Sequence, residues 1–529
     1  MSAASMAVVA LFTNMSDVQD LYVDKEVVWA ATLGGVEVYD TDGERLATAS
    51  DLPSRQATAI GSVAGQLTVG TKQGAFRWND REWEPVGFKQ PVISITDNLV
   101  FFRDGSAWPN HHQTTRLVDA VSWNGSIFEF TTDGRMVQGD QEWILPGPVS
   151  DVEVVGDELR IACHIAAAIF DGQHVKVLSI PATAAGDVWG TAEGALVNDE
   201  GQRVGGVQGA IREIRTIDSS WVVATDNGVW AVGESVDRWT TDSVCGNFVT
   251  GITQHKGEIV IGTFNDGACR FNGTSWQNIE TPSTMVNDVV STGEDLWIAT
   301  AEGLVQEGKA LHVAVADGAS VRDPGTNHKG INALASGPSG LWAADVLGPV
   351  QVDPWRRYRW HVSGHSFQSI ASCPNGEVWA GSEDDGVSVF GAQVGQKKGR
   401  SKWRQFNRLD GLPEDWVMAI ACAEPGAAWV GTYRNGVGKI DAKGWHPIME
   451  DAWIQALLVD DKRLWIGTAD GLYLAHENRI EKIRSDDVHT LFQDDATLWI
   501  GTRSGLVGLD TKKLTTEMMV DRTASRMVK

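Results

Sequence analysis

The chain has 529 residues, 42% of them hydrophobic, with 57 Gly and 23 Trp. That composition argues against disorder and suits many short strands joined by tight turns, with large rings filling the gaps between layers. A formal net charge of −25 would repel a phosphate backbone over most of the surface, which argues against a nucleic-acid partner.

In chain order, residues 6–12 come first as a short apolar run. It is too short for a membrane span and lacks the basic flank of a signal peptide, so it reads as a strand. It suits the role of completing the last sheet of a ring, which would tie the terminus down. Four strands follow at residues 17–23, 27–32, 36–39 and 45–49. A second group runs through residues 67–74, 76–78 and 82–86. Its last segment, Glu82-Trp83-Glu84-Pro85-Val86, recurs as Glu142-Trp143-Ile144-Leu145-Pro146 and Gly444-Trp445-His446-Pro447-Ile448. A Pro there suits an outer edge strand, where a lost ladder bond matters little.

The clearest repeat is Leu464-Trp465-Ile466-Gly467-Thr468-Ala469-Asp470-Gly471-Leu472, nearly copied at Leu498-Trp499-Ile500-Gly501-Thr502 and Leu296-Trp297-Ile298-Ala299-Thr300. Its residues alternate as in a strand buried on both faces, and the Gly that follows fits a tight hairpin turn. Gly on the same face as Trp suggests room for a ring from the next layer. Counting degenerate versions gives fourteen copies. From Ala31 to Gly501 the thirteen steps average about 36 residues, slightly below the spacing of four-stranded propeller blades. Softer elements such as Val286-Asn287-Asp288-Val289 and Ile331-Asn332-Ala333-Leu334 would be the innermost strands. No segment shows a sustained helical period.

The string Phe406-Asn407-Arg408-Leu409-Asp410-Gly411-Leu412-Pro413-Glu414-Asp415-Trp416-Val417, followed by Trp429-Val430-Gly431-Thr432, resembles the two-component-regulator propeller repeat. The resemblance implies tandem seven-bladed propellers that act outside the membrane as the ligand sensor of a hybrid histidine kinase, often for oligosaccharides. This chain carries no kinase, response regulator or transmembrane helix, so the resemblance bears on the fold more than on the sensory role.

Chemical motifs are sparse. Gly303 to Gly308-Lys309-Ala310 has P-loop spacing but ends in Ala, where a Ser or Thr must hold magnesium. Asp40-Thr41-Asp42-Gly43-Glu44 opens like a calcium loop but lacks the later ligands, and a strand turn accounts for it. The twelve His are dispersed; His111-His112 lies in a polar loop, and His361 and His365 are four apart but in a Gly/Ser loop, where helical ligand geometry does not apply. The basic run 397–402 reads as an exposed loop. The five cysteines, Cys163, Cys245, Cys269, Cys373 and Cys422, are odd in number and scattered, which predicts reduced thiols and a cytoplasmic protein.

The sequence therefore predicts an all-β protein of two tandem β-propellers, seven four-stranded blades each, over residues 1–245 and 246–529. Six blades plus seven is the alternative. A ligand site would lie at a channel mouth, built by loops entering the innermost strands. In the second half this nominates Asn247, Phe248, Asn287, His328, Asn332, His365, Phe367, Asp415, Trp416, Trp453 and His489. Exposed Trp and Phe beside polar groups suit a sugar face or a peptide anchor. Wedging between blades is the other reading of Trp416 and Trp453. The expected function is non-catalytic recognition or scaffolding of a protein partner, without metal or cofactor and with no membrane segment. A stand-alone sensor of a sugar or small molecule is the second reading, and a lyase or hydrolase acting at the channel mouth the third.

Overall fold

The copies of the Trp-Gly-Thr segment form the second strand of a small antiparallel sheet, except Trp189–Gly190, which is the first strand of its three-stranded sheet. The structure, a computed structural model, describes residues 8–49, 52, 54–79, 83–96, 99–109, 116–217, 219–240, 244–309, 330–352, 358–360, 365–391, 403–460, 463–476 and 479–514. Among these there are fourteen sheets, eleven of four strands and three of three. Strands follow one another within each sheet, with one exception: Val8–Phe12 pairs with Gly505–Asp510, beside Thr497–Thr502 and Val488–Asp494. Helical structure among the described residues is confined to a 3-10 turn at Arg408–Asp410 and one turn at 511–514.

The chain divides into two units. The N-terminal unit is Asn14–Asp242; the C-terminal unit joins Met1–Thr13 to Ser243–Lys529.

The motif has a physical cause at each position. Trp465 is fully buried and packs with Leu472, Leu474 and Val488. Thr468 caps the hairpin: its hydroxyl donates to the Gly471 carbonyl at 2.9 Å and accepts from the Asp470 and Gly471 N–H groups. The same cap recurs at Thr32, Thr71, Thr225, Thr300 and Thr502. Gly467 leaves room for an aliphatic side chain rather than the ring expected: a Cβ there would lie 2.6 Å from Val488 Cγ1 in the next sheet. Gly70 meets Val92 in this way, Gly190 meets Ile211, and Gly431 meets Ile454. The first apolar residue of these inner strands thus keys into the sheet before it. At Gly436 the turn itself needs Gly, with φ at +82° and a virtual Cβ 1.9 Å from the Met449 carbonyl oxygen.

A second set of contacts crosses the same seams. The polar residue after that apolar key reaches a carbonyl of the next sheet: Thr58 to Val92 at 2.9 Å, Thr183 to Ile211 at 2.7 Å, Thr250 to Val286 at 2.6 Å. One residue further on, a carboxylate often accepts from the next sheet's backbone. Asp20 takes the Ile60 N–H, Asp151 that of Ala185 and Asp288 that of Leu334, each at 2.8 Å.

The two units close differently. In the N-terminal unit Arg212, on the last inner strand, donates to the Val18 carbonyl on the first at 3.2 Å and pairs with Asp17. Val18, Leu21 and Tyr39 share one core cluster with Val222 and Val229. In the C-terminal unit the closing element is Val8–Phe12, whose Phe12 ring sits 4.9 Å from Phe271 and 5.3 Å from Trp276 of the sheet that follows.

Candidate functional site

The C-terminal unit presents an arc of rings where chain segments enter its inner strands. Trp416 stacks on Tyr433 at 4.3 Å with the planes 20° apart, and Tyr433 meets the edge of Trp453 at 5.0 Å. Arg434 lies over Tyr433 at 5.1 Å. Trp416 and Trp453 remain 36% and 39% exposed. The arc continues through the seam where Gln455 donates to Asp487 at 2.6 Å. There His489 Nε2 lies 3.3 Å from Asp487, and its ring is 4.4 Å from Phe248, which stacks on Phe264 and sits under Arg503. Burial works against ionisation of Asp487, but His489, Gln455 and Arg503 hold its carboxyl below the usual range.

The loop ahead of Trp416 is braced by hydrogen bonds. Asn407 and Asp410 form a reciprocal capping box around the turn. Asp415 accepts the Arg408 N–H at 2.8 Å, Asn435 donates to the Pro413 carbonyl at 3.1 Å, and Glu414 accepts from the Arg434 N–H at 2.8 Å. At its tip Leu409 is 95% exposed. This Leu directly precedes the Asp410-Gly411-Leu412-Pro413 string that marks the repeat in the sequence, yet it did not stand out there as a contact residue.

The other nominated residues serve the seams. The Asn287 and Asn332 amides donate to the Ile331 and Phe367 carbonyls, both at 2.8 Å. The Asn247 carbonyl accepts from Gly505 at 2.7 Å. Phe367 is 1% exposed in a core with Trp342 and Val378. His365 sits 3.0 Å from Asp384 and 3.5 Å from Asp385. His328, like His111, His112, His361 and the basic run 397–402, lies outside the described residues.

A cavity of about 300 Å³ in the N-terminal unit is lined by its inner strands. Asp20, Asp119, Asp151, Glu153 and Glu213 line it together with Arg215, which pairs with Glu153 and Glu213. Burial pushes the Asp119 carboxyl up to about 7. Burial, then the neighbouring Asp119, drives Asp151 well above the carboxylate range. Glu213 is raised strongly by burial despite Arg215. The sequence did carry a signal: an acid recurs two residues after the first apolar position in Val18-Gln19-Asp20, Leu117-Val118-Asp119, Val149-Ser150-Asp151 and Ile211-Arg212-Glu213. Only the fold shows that these acids face one cavity.

No family model matches the chain, and no curated protein does. Solved structures do match. PorZ of Porphyromonas gingivalis, an essential bacterial surface component of the type-IX secretion system, is 14% identical with a TM-score of 0.68, over 95% of this chain and 86% of that one. A GH74 xyloglucanase of Xanthomonas campestris is 11% identical with a TM-score of 0.62, over 95% of this chain and 99% of that one. The extracellular domain of a B. thetaiotaomicron hybrid two-component system is 15% identical with a TM-score of 0.40, over 96% of this chain and 76% of that one. The likeness is one of fold. The repeat resemblance read from the sequence points to this last class of protein.

The cytoplasmic expectation is corrected. Cys245 and Cys269 form a disulfide, as do Cys373 and Cys422, with Cα atoms 5.9 and 5.6 Å apart. Among the cysteines only Cys163 is free, and it is buried. Disulfides persist in oxidising compartments, so an extracellular or periplasmic setting replaces the cytoplasm. The sequence hid the pairing because the partners lie 24 and 49 residues apart, and the sheet packing alone brings them together. Unfolded without reductant, the protein should titrate one thiol, and with reductant five. Replacing Cys373 and Cys422 by Ser removes the closure of a 49-residue loop. The chain-entropy account then gives a loss of about 4 kcal/mol, which urea unfolding of the C-terminal unit would read.

Proposed function

We propose that this chain is an extracytoplasmic, non-catalytic recognition protein built of two seven-bladed β-propellers. It holds a protein partner on the aromatic face of the C-terminal unit. Seven sheets per unit and the repeated keying of each sheet into the one before support the propeller reading. The observation that carries the function is that Leu409, 95% exposed, sits on a turn braced to Asp415, the residue before Trp416 of the partly exposed Trp416–Tyr433–Trp453 stack. Packing among the described residues gives that leucine no role. Rigid apolar and aromatic side chains lose little entropy on binding and supply the anchors of protein interfaces.

A photo-crosslinking residue at position 409, expressed in the native cell, should give a discrete protein adduct. The adduct should fall at least tenfold with Trp416→Ala and Trp453→Ala. The same probe at Ile144, 82% exposed in the N-terminal unit, is the control. Labelling at 409 no stronger than at 144 would refute the proposal. An adduct to glycan rather than protein would favour the second reading, a sensor of sugars, for which the rings beside Arg434 offer a stacking platform.

A further inference from the structure

We propose that the axial cavity of the N-terminal unit is a proton-linked latch: its carboxyl groups share protons that ordinary carboxyls release, and the unit loosens as rising pH strips them.

The geometry is the first support. Five carboxyl groups from four elements converge on a cavity of about 300 Å³. Asp20 comes from the first sheet and Asp119 from the fourth. Asp151 and Glu153 come from the fifth, and Glu213 from the seventh. One guanidinium, Arg215, faces them, and Glu213, Glu153, Asp20 and Asp151 keep it charged despite its burial. Arg212 is already paired with Asp17. Asp187 faces Glu153 and holds the Thr216 hydroxyl at 2.5 Å. The second and third sheets offer hydroxyls, Thr58, Ser62 and Ser94, and no charge. Like charges confined in one poorly hydrated space cannot all ionise, so some of these acids stay protonated.

The same groups hold the seams. Asp20 ties its sheet to the next by accepting from Ile60, and Asp151 does so by accepting from Ala185. Mutual repulsion among newly ionised carboxylates therefore acts on the contacts that close the unit. The direction follows from the shifts. A carboxyl raised by folding stabilises fully below its unfolded value, and that stability is lost as pH rises through the folded value. Asp119, lifted from 3.8 to about 7, places the loss between about pH 4 and 7.5, and the part of it that falls between pH 5.5 and 8 changes the folding equilibrium about 30-fold for one such group.

Cys163 supplies a reporter inside this unit. It is 0% exposed on the strand Glu158–Cys163, which pairs with Val149–Val155. Alkylation of Cys163 in the full chain at fixed sub-denaturing urea is followed at pH 5.5 and pH 8, normalised at each pH to its rate in denatured protein. Protection should fall about 30-fold from pH 5.5 to pH 8. Asp119→Asn should retain protection at pH 8 and flatten the dependence to a few-fold. Glu153→Gln, at the cavity rim, should weaken it in the same direction and serves if Asp119→Asn does not fold. Protection that is constant or rises with pH, or variants that keep the whole dependence, would overturn the latch.

Discussion

Deletion of residues 1–13 will open the C-terminal unit and leave the N-terminal unit folded. Val8–Phe12 is the only strand in its sheet that comes from outside residues 488–510. Its loss removes the ladder to Gly505–Asp510 and uncovers a flat edge. Val507 and Leu509, both fully buried, lie on that edge strand. Phe12 also bridges the closure through Phe271, Trp276 and Trp499. Phe12→Ala alone should cost about 3 kcal/mol, by the usual scale for truncating a packed ring. The full deletion should lower the unfolding midpoint further and promote association through the bare edge. The N-terminal unit needs no such strand, because each of its sheets is consecutive in sequence and Arg212 ties the last to the first. Pulse proteolysis with peptide mapping separates the two: fragments from 244–514 should appear at low urea and those from 14–240 should not. Added peptide spanning residues 6–14 should restore protection. A truncated chain as resistant as the intact one would mean that side-chain keying alone closes the C-terminal unit.

The repeating parts of this architecture were legible because each copy states its own local physics. A Trp packed between sheets, a Gly under a neighbour's Val or Ile and a Thr that caps the turn leave the same signature at Trp465, Gly467 and Thr468 as at Trp499, Gly501 and Thr502. What sequence could not show lies across the ring. Asp20 and Asp151 are 131 positions apart and line one cavity. Cys373 and Cys422 look unrelated until two sheets are packed together. Among the nominated surface residues, Trp416 and Trp453 meet around Tyr433. Asn287 and Asn332 instead spend their amides on the seams. An Asn in a strand reads the same whether it faces a ligand or clasps a neighbour, and only the register of the next sheet separates the two.

Gly431→Ala and Ile454→Ala should each destabilise the C-terminal unit, and the double variant should lose clearly less than their sum. A Cβ at Gly431 would lie 2.3 Å from Ile454 Cγ2 and 2.7 Å from its Cβ, atoms fixed on an inner strand that cannot swing aside. Overpacking of this kind costs about 1–3 kcal/mol. Emptying the fully buried Ile454 costs about 2–5 kcal/mol. In the double variant the added methyl enters the space that Ile454 vacates, so a coupling of about 1–2 kcal/mol is expected from urea midpoints. Gly431→Ala with Val488→Ala, one seam further on, should be additive. The pair also bears on recognition. Thr432 and Tyr433 follow Gly431 directly, and Trp453 directly precedes Ile454, so this contact underlies the Tyr433–Trp453 ring pair. Gly431→Ala should therefore weaken crosslinking from position 409 even at temperatures where the unit stays folded, and Ile454→Ala added to it should restore part of the signal. Additive stabilities would mean that the seam is held by the backbone clasps rather than by keyed packing. Unchanged crosslinking would mean that the braced turn at Arg408–Asp410 positions the binding face without help from the seam beneath it.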